Sequence, residues 1–212
     1  MSLFHVAHGR MREKTVLQRL IMAARLPGEA ADRTELGAHY ENLIFQLSKQ
    51  QVGAHVTGLL LIYPSCLLQV VESTREILMS VLRDVTELQQ QKDSVLLDVK
   101  VVFVAHNPPE RLFQQWSFKV LDAGQVVGDA AVKRPEEDED STETLVCGVL
   151  SALQKLSAEL EISQKPLPGS VLDQSPELAV PQQILEKLLD RDQLQSPRQH
   201  LDMYASPPHI SL

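Results

Sequence analysis

The spacing of apolar and polar residues along the chain distinguishes six segments of two kinds. Four are short, nearly continuous apolar runs of the kind that form buried strands, at residues 16–26, 55–63, 66–72 and 95–105. Two longer segments place apolar residues three and four positions apart, which predicts amphipathic helices at 34–51 and 73–90. The predicted order along the chain is therefore β-α-β-β-α-β.

This order is the split βαβ, or ferredoxin-like, pattern of an α+β domain. Only residues 64 and 65 separate the second and third strands, so these two strands must form an antiparallel hairpin. We expect a four-stranded antiparallel sheet with both helices on one face. The other face is expected to be open, and it is a candidate contact surface for a homodimer.

The chain outside the predicted domain is more polar. A flexible arm (1–14) precedes the domain (15–122), and an acidic linker (123–141), an amphipathic helix (142–163) and a largely disordered tail (164–212) follow it. Residues 142–163 carry their apolar residues on one side, so this helix either caps the domain or pairs with a partner. The pattern alone leaves both roles open. The tail is rich in proline and serine, which favours disorder.

The charge distribution narrows the choice of partners. The formal net charge is −8, and the excess of acidic residues lies after position 134. A nucleic acid partner requires clustered positive charge, so none is expected. The longest apolar run, 59–63, is too short for a membrane span, and the first residues lack the apolar stretch of a signal peptide. Two cysteines fit a reducing compartment, and we predict a cytoplasmic protein, with the nucleus as the other option.

No residue pattern is typical of a catalytic or metal centre. Cys66 lies on a predicted strand and Cys147 on the amphipathic helix, and neither has a neighbour that would lower a thiol pKa. The seven histidines form no i, i+4 pair and no HExxH motif. Asp84 with Glu87, and the run 136–140, are typical of solvated surface. We therefore predict neither an enzyme nor a metal protein, since a small hydrolase on this fold has no residue group to support it.

Two stretches resemble the BLUF family, the flavin-based blue-light sensors. Residues 55–61 (HVTGLLL) and 68–72 (LQVVE) resemble the family's strand pair, and residues 111–118 (RLFQQWSF) resemble its RxFxxWSM segment. The resemblance covers about residues 16–120. It implies a ferredoxin-like fold in which a flavin lies between the two helices at the sheet.

The resemblance also implies the positions of a flavin pocket. The family's glutamine matches Gln69 and its tryptophan matches Trp116, whereas its redox tyrosine falls at Ala24 and its flavin-holding asparagine near Gln51. Alanine can donate neither an electron nor a proton, so we expect the light cycle to be absent. The family directs its glutamine toward the helices. Alternation shows only that Gln69 shares a face with its second neighbours, and leaves open which face that is.

Two functional hypotheses follow. The first is a non-catalytic interaction or scaffold protein with an unidentified protein partner and no cofactor. The alternative is an FAD-binding sensor or regulatory domain with altered chemistry. Gln69 and Trp116 favour the alternative, whereas Ala24 opposes it.

Overall fold

The fold is built on a five-stranded sheet with helices on both faces. The computed structural model describes residues 16–28, 33–125 and 140–205, so the predicted arm and most of the predicted linker lie outside the described residues. The strands are β1 (Gln18–Arg25), β2 (Thr57–Ile62), β3 (Cys66–Ser73), β4 (Val99–His106) and β5 (Trp116–Val120). The helices are α1 (Arg33–Gln50), α2 (Arg75–Gln90), α3 (Thr142–Ser163), α4 (Pro168–Gln174), α5 (Gln182–Leu189) and α6 (Pro197–Ala205).

Four strands form the antiparallel arrangement that the sequence predicts, and a fifth extends it. The strand order is β4-β1-β3-β2-β5, with β5 parallel to β2. This fifth strand begins within the segment that resembles RxFxxWSM, where the apolar pattern predicts no strand. Trp116, Phe118 and Val120 alternate with polar residues at the period of a strand, but five residues are too few for that period to stand out.

Helices α1 and α2 cover one face of the sheet, as predicted. Their buried stripes pack on the strand residues that point the same way, and we call this layer the helix-face core. Its main members are Leu20, Met22, Ala24, Leu36, Tyr40, Ile44, Leu60, Ile62, Leu67, Val71, Ile77, Val81 and Val85. The N-cap of α2 is Thr74, whose hydroxyl accepts a hydrogen bond from the Ile77 N–H.

The opposite face is covered by the chain itself, so the prediction of an open face is wrong. We call helices α3, α4 and α5 the C-terminal cover, because they bury the second side of the sheet. Helix α3 contributes Leu145, Val149, Leu153, Leu156 and Leu160, which pack in one cluster with Ile21, Leu59, Leu61, Leu68 and Val70 of the sheet. The predicted amphipathic helix therefore caps the domain. The surface that we expected to hold a second copy is occupied within one molecule.

The prediction of a disordered tail is also wrong for the described residues up to 205. Helices α4, α5 and α6 have seven, eight and nine residues, and helices this short are unstable by themselves in water. They form because tertiary burial supports them: Leu172, Leu185 and Leu188 are fully buried. Local composition does not reveal this support. Within the described ranges, no helix is long and apolar enough to cross a membrane.

Polar contacts fasten the C-terminal cover at the end of the β2–β3 hairpin. The buried Tyr63 hydroxyl donates a hydrogen bond to the Val180 carbonyl oxygen, and the Ser65 hydroxyl donates one to Glu186 at 2.7 Å. At the β1 end, Arg25 pairs with Asp190 at 3.0 Å. These bonds fix the position of α5 on the sheet.

Candidate ligand-binding face

Gln69 occupies the centre of the helix-facing side of the sheet. On β3 it lies opposite Met22 of β1 and Leu60 of β2, and Leu60 in turn lies opposite Phe118 of β5. Met22 and Leu60 both belong to the helix-face core, so the Gln69 side chain points toward α1 and α2. The structure thus decides the orientation that alternation leaves open.

Trp116 packs on the same face, at the edge strand β5. Its indole borders Gly58, where an added Cβ would lie 3.1 Å from Trp116 Cδ1 and would collide with the Val70 carbonyl oxygen. The lone strand glycine therefore marks a close approach between strands. The structure brings Gln69 and Trp116 to one face.

Three buried polar atoms of the helix-face core have no hydrogen-bond partner among the described residues. They are Gln69 Nε2, Trp116 Nε1 and Tyr40 Oη. An unpaired buried donor costs about 1–3 kcal/mol, and most buried polar groups in folded proteins are paired. This part of the core is therefore chemically suited to a polar ligand. Sequence reasoning missed Tyr40 because its position fits the apolar stripe of α1; the available signal was a single phenol in a stripe of aliphatic residues.

Ala24 and Gln51 add little to this group of unpaired polar atoms. Ala24 is 1% exposed, lies between Leu67 of β3 and Val99 of β4, and offers only a methyl group. Gln51 follows the last turn of α1, where its side-chain oxygen accepts a hydrogen bond from Thr74 at 3.4 Å. It lines a groove against α2 and α6, at the margin of the face.

Burial keeps two ionisable side chains protonated, one on each face of the sheet: Cys66 lies in the cluster under the C-terminal cover, and Tyr40 lies in the helix-face core. Burial raises the pKa of the Cys66 thiol to about 12, so little of it is the nucleophilic thiolate at neutral pH. Burial, with a contribution from Asp84, also raises the Tyr40 pKa well above 10.0, which keeps the phenol protonated. Cys147 is a free, exposed thiol on α3. Within the described ranges, no group of three His, Cys, Asp or Glu side chains could hold a metal ion.

A histidine–aspartate pair links the two helices above this face. His39 Nε2 of α1 lies 3.0 Å from Asp84 Oδ2 of α2, and this contact raises the His39 pKa above 6.5. Asp84 is therefore not the free surface carboxylate that the sequence suggests. Asp140, at the end of the predicted acidic run, similarly lies 3.8 Å from Lys187.

Sequence reasoning missed a buried carboxylate at the end of β3, on the opposite face of the sheet from Gln69. Glu72, at the end of β3, is fully buried and forms an ion pair with Arg19 at 2.9 Å. Its oxygens also accept hydrogen bonds from Thr57 and from the backbone N–H groups of Leu112 and Phe113. These bonds tie three strands to the segment before β5, so we assign Glu72 a structural role. The only available signal was an acidic residue at the end of an apolar run.

The helix-face core does not fit a flavin in its present packing. The layer between the helices and the sheet is filled by the chain's own side chains, among them Tyr40, Leu60 and Ile62, each 0% exposed. A flavin ring would have to displace several of them. Position 24, where the resemblance to BLUF proteins places a phenol, carries only a buried methyl group.

A family model that matches almost the whole described chain identifies the family of this protein. The family model of testis-expressed protein 47 matches residues 16–206. The chain belongs to the testis-expressed protein 47 family.

Solved BLUF structures are similar to this member of the testis-expressed protein 47 family. A structure described as BlrP1 BLUF is 19% identical, with a TM-score of 0.41 over 65% of this chain and 91% of that one. BlrB, a BLUF protein in its dark state, is 15% identical, with a TM-score of 0.40 over 63% and 97%. Klebsiella pneumoniae BlrP1 with FMN and cyclic diGMP is 23% identical, with a TM-score of 0.40; the match covers 54% of this chain and 28% of that longer protein.

Proposed function

We propose that this member of the testis-expressed protein 47 family is a non-catalytic, BLUF-like interaction or scaffold protein that acts in the cytoplasm of male germ cells. The observation that carries this proposal is the buried methyl group of Ala24 on the face where the BLUF resemblance places a flavin. A methyl group can take no part in electron or proton transfer. A light-driven switch of the BLUF type therefore lacks its redox side chain.

The remaining polar groups of the described chain support the same conclusion. Glu72 is engaged by several donors and is inaccessible to a substrate, so it is unsuited to act as a general base. Cys66 is held as a protonated thiol by burial. The helices on both faces of the sheet leave their outer surfaces for contact with partners.

The alternative function is an FAD-binding regulatory domain with altered chemistry. The observation that favours it is the set of unpartnered donors on Gln69, Trp116 and Tyr40. A flavin carries ring nitrogens and carbonyl oxygens that could pair with such donors. Binding would require α1 or α2 to move outward, because the layer beneath them is filled.

The absorbance spectrum of the purified full chain distinguishes the two functions. The chain is incubated with FAD, freed of excess ligand, and examined for flavin absorbance before and after blue illumination. The interaction-protein proposal predicts a colourless protein with an unchanged spectrum. A yellow protein that loses its flavin in a Gln69→Leu variant would establish the alternative, and a spectral shift on illumination would refute the proposed loss of photochemistry.

A further inference from the structure

The end of α3 and the segment before β5 enclose a cleft of about 290 Å³ that none of the sites above uses. We propose that this cleft docks an acidic peptide segment of a protein partner, with a carboxylate side chain beside an apolar one. The proposal rests on the proposed role as an interaction protein and specifies the partner's chemistry. Its support comes from the charge, walls and surroundings of the cleft.

Two of the three charged side chains that line the cleft are cationic. They are Arg111 and Lys165, and Glu161 is the one acidic residue in the lining. Arg111 is held in place, because its Nη1 donates to the Thr57 hydroxyl at 3.0 Å and to the Glu72 carbonyl oxygen at 2.9 Å. The Lys165 side chain forms no ion pair with the described residues. The Lys165 ammonium group is thus free to meet a carboxylate near the fixed guanidinium group of Arg111.

The negative end of α3 does not cancel this charge. The last carbonyl groups of a helix disfavour a nearby anion when they are unpaired. Here the Leu160 carbonyl accepts the Lys165 N–H at 3.1 Å, and the Glu161 carbonyl accepts the Gln164 N–H at 3.2 Å. The cationic side chains therefore determine which charge the cleft attracts.

The walls and surroundings of the cleft are apolar, which argues for a peptide rather than a simple anion. Leu112, Phe113, Leu160 and Pro166 line it. Two exposed apolar side chains directly follow lining residues in the sequence: Ile162 (77% exposed) and Leu167 (43%). Exposed apolar side chains next to a cleft that also carries charged groups are typical of interaction surfaces.

The chain's own acidic run cannot reach this cleft in the same molecule. The run 136–140 ends beside the first turn of α3, whereas Ser157, a lining residue, lies about 22 Å further along the helix. Four extended residues reach at most about 14 Å from Asp140. The run 136–140 is therefore not the segment that would occupy the cleft of its own molecule.

A peptide-display selection on the full chain tests the proposal. A random peptide library is selected on the wild type, on Lys165→Glu, and on Lys155→Glu, a matched charge reversal at an exposed position of α3 outside the cleft lining. We expect the wild type and Lys155→Glu to enrich peptides with Asp or Glu beside Leu, Ile or Val. We expect Lys165→Glu to lose them. In fluorescence anisotropy, an enriched synthetic peptide should bind Lys165→Glu about three- to tenfold more weakly than Lys155→Glu.

Enrichment of peptides without acidic residues, enrichment unaffected by Lys165→Glu, or no enrichment at all would each overturn the proposal. Circular dichroism and the unfolding midpoint of each variant confirm that the fold is retained. A His55→Glu variant repeats the test from the other side of the cleft and should behave like Lys165→Glu. The FAD measurement does not depend on the cleft, so failure here is distinguishable from failure of the proposed function.

Discussion

Two buried polar residues of β3, three positions apart, differ in whether their side chains are hydrogen-bonded. Glu72 has donors around both carboxylate oxygens, whereas the Gln69 amide nitrogen has no acceptor among the described residues. A paired buried carboxylate is costly to replace, because its partners would be left unpaired. An unpaired buried amide is itself a source of instability. The retention of glutamine at position 69 is therefore not explained by stability.

Replacing this amide should make the protein more stable. In the absence of any ligand, we expect Gln69→Leu to raise the free energy of unfolding by about 1–3 kcal/mol, because leucine removes the unpaired donor at similar volume. Urea denaturation of the purified chain measures the change. The control is Gln90→Leu at the exposed end of α2, expected to lie within about 0.5 kcal/mol of wild type. A loss of stability in Gln69→Leu would mean that the amide has a partner in solution.

The pair formed by His39 and Asp84 makes the contact between α1 and α2 dependent on pH. Because this contact raises the His39 pKa above 6.5, protonated His39 favours the folded state. The stabilisation is complete below the unfolded-state pKa of about 6.5 and is lost as the pH rises through the higher folded-state pKa. We expect the midpoint difference between wild type and His39→Gln to be largest in mild acid and to shrink toward alkaline pH.

Thermal unfolding of both proteins across this pH range measures the effect. Asp84→Asn removes the partner carboxylate. In a protein that carries Asp84→Asn, adding His39→Gln should change the midpoint by an amount that does not depend on pH. The comparison with a variant is needed because His200 also makes stability depend on pH. Its pKa is lowered by burial and by His106, so its contribution to stability changes with pH in the opposite direction. A difference between wild type and His39→Gln that stays constant with pH would show that the pair does not form.

At the scale of elements, the long periodic segments could be predicted and the short ones could not. The four antiparallel strands and helices α1, α2 and α3 follow from their apolar patterns. Strand β5 and helices α4 to α6 are too short to carry a clear period, and they depend on contacts with residues distant in the sequence. For the candidate site, the motif resemblance indicated Gln69 and Trp116. The apolar pattern alone could not predict the direction of Gln69, since a two-residue period separates the faces of a strand without saying which face the helices cover; only the resemblance implied the helix side.

At the scale of the whole molecule, the sheet is the middle layer of three. The helix-face core and the C-terminal cover each bury one side, and both use aliphatic residues from alternating positions of the same strands. Residues 57–62 and 66–73 are accordingly buried at every position. This continuous burial is the pattern expected of central strands covered on both faces. The domain and its C-terminal helices therefore form one folding unit.

Removal of the C-terminal cover should prevent stable folding. A chain ending at residue 134 would expose the sheet residues that pack under α3 and α5. Each large aliphatic side chain loses about 1.5–3 kcal/mol when it is exposed, and several such losses match the whole stability of an ordinary domain. We expect this truncated chain to aggregate, or to unfold with a much lower midpoint and lower cooperativity, in a thermal scan followed by circular dichroism.

The control for this truncation is a chain ending at residue 205, which keeps all the described helices and should unfold at the wild-type midpoint. If the chain ending at 134 also unfolded cooperatively at that midpoint, the cover would contribute nothing to the stability of the sheet. That result would contradict the single folding unit described here.

The last helical region also closes one border of the sheet. The Val101 N–H of edge strand β4 donates to the Gln195 carbonyl oxygen at 2.8 Å, just before α6 begins. An uncovered strand border can recruit strands from other molecules, which is a common origin of protein aggregates. Here a carbonyl oxygen of the loop before α6 accepts a hydrogen bond from a backbone N–H near the middle of strand β4. We therefore expect the loop before α6 to hinder the pairing of strand β4 with strands of other molecules.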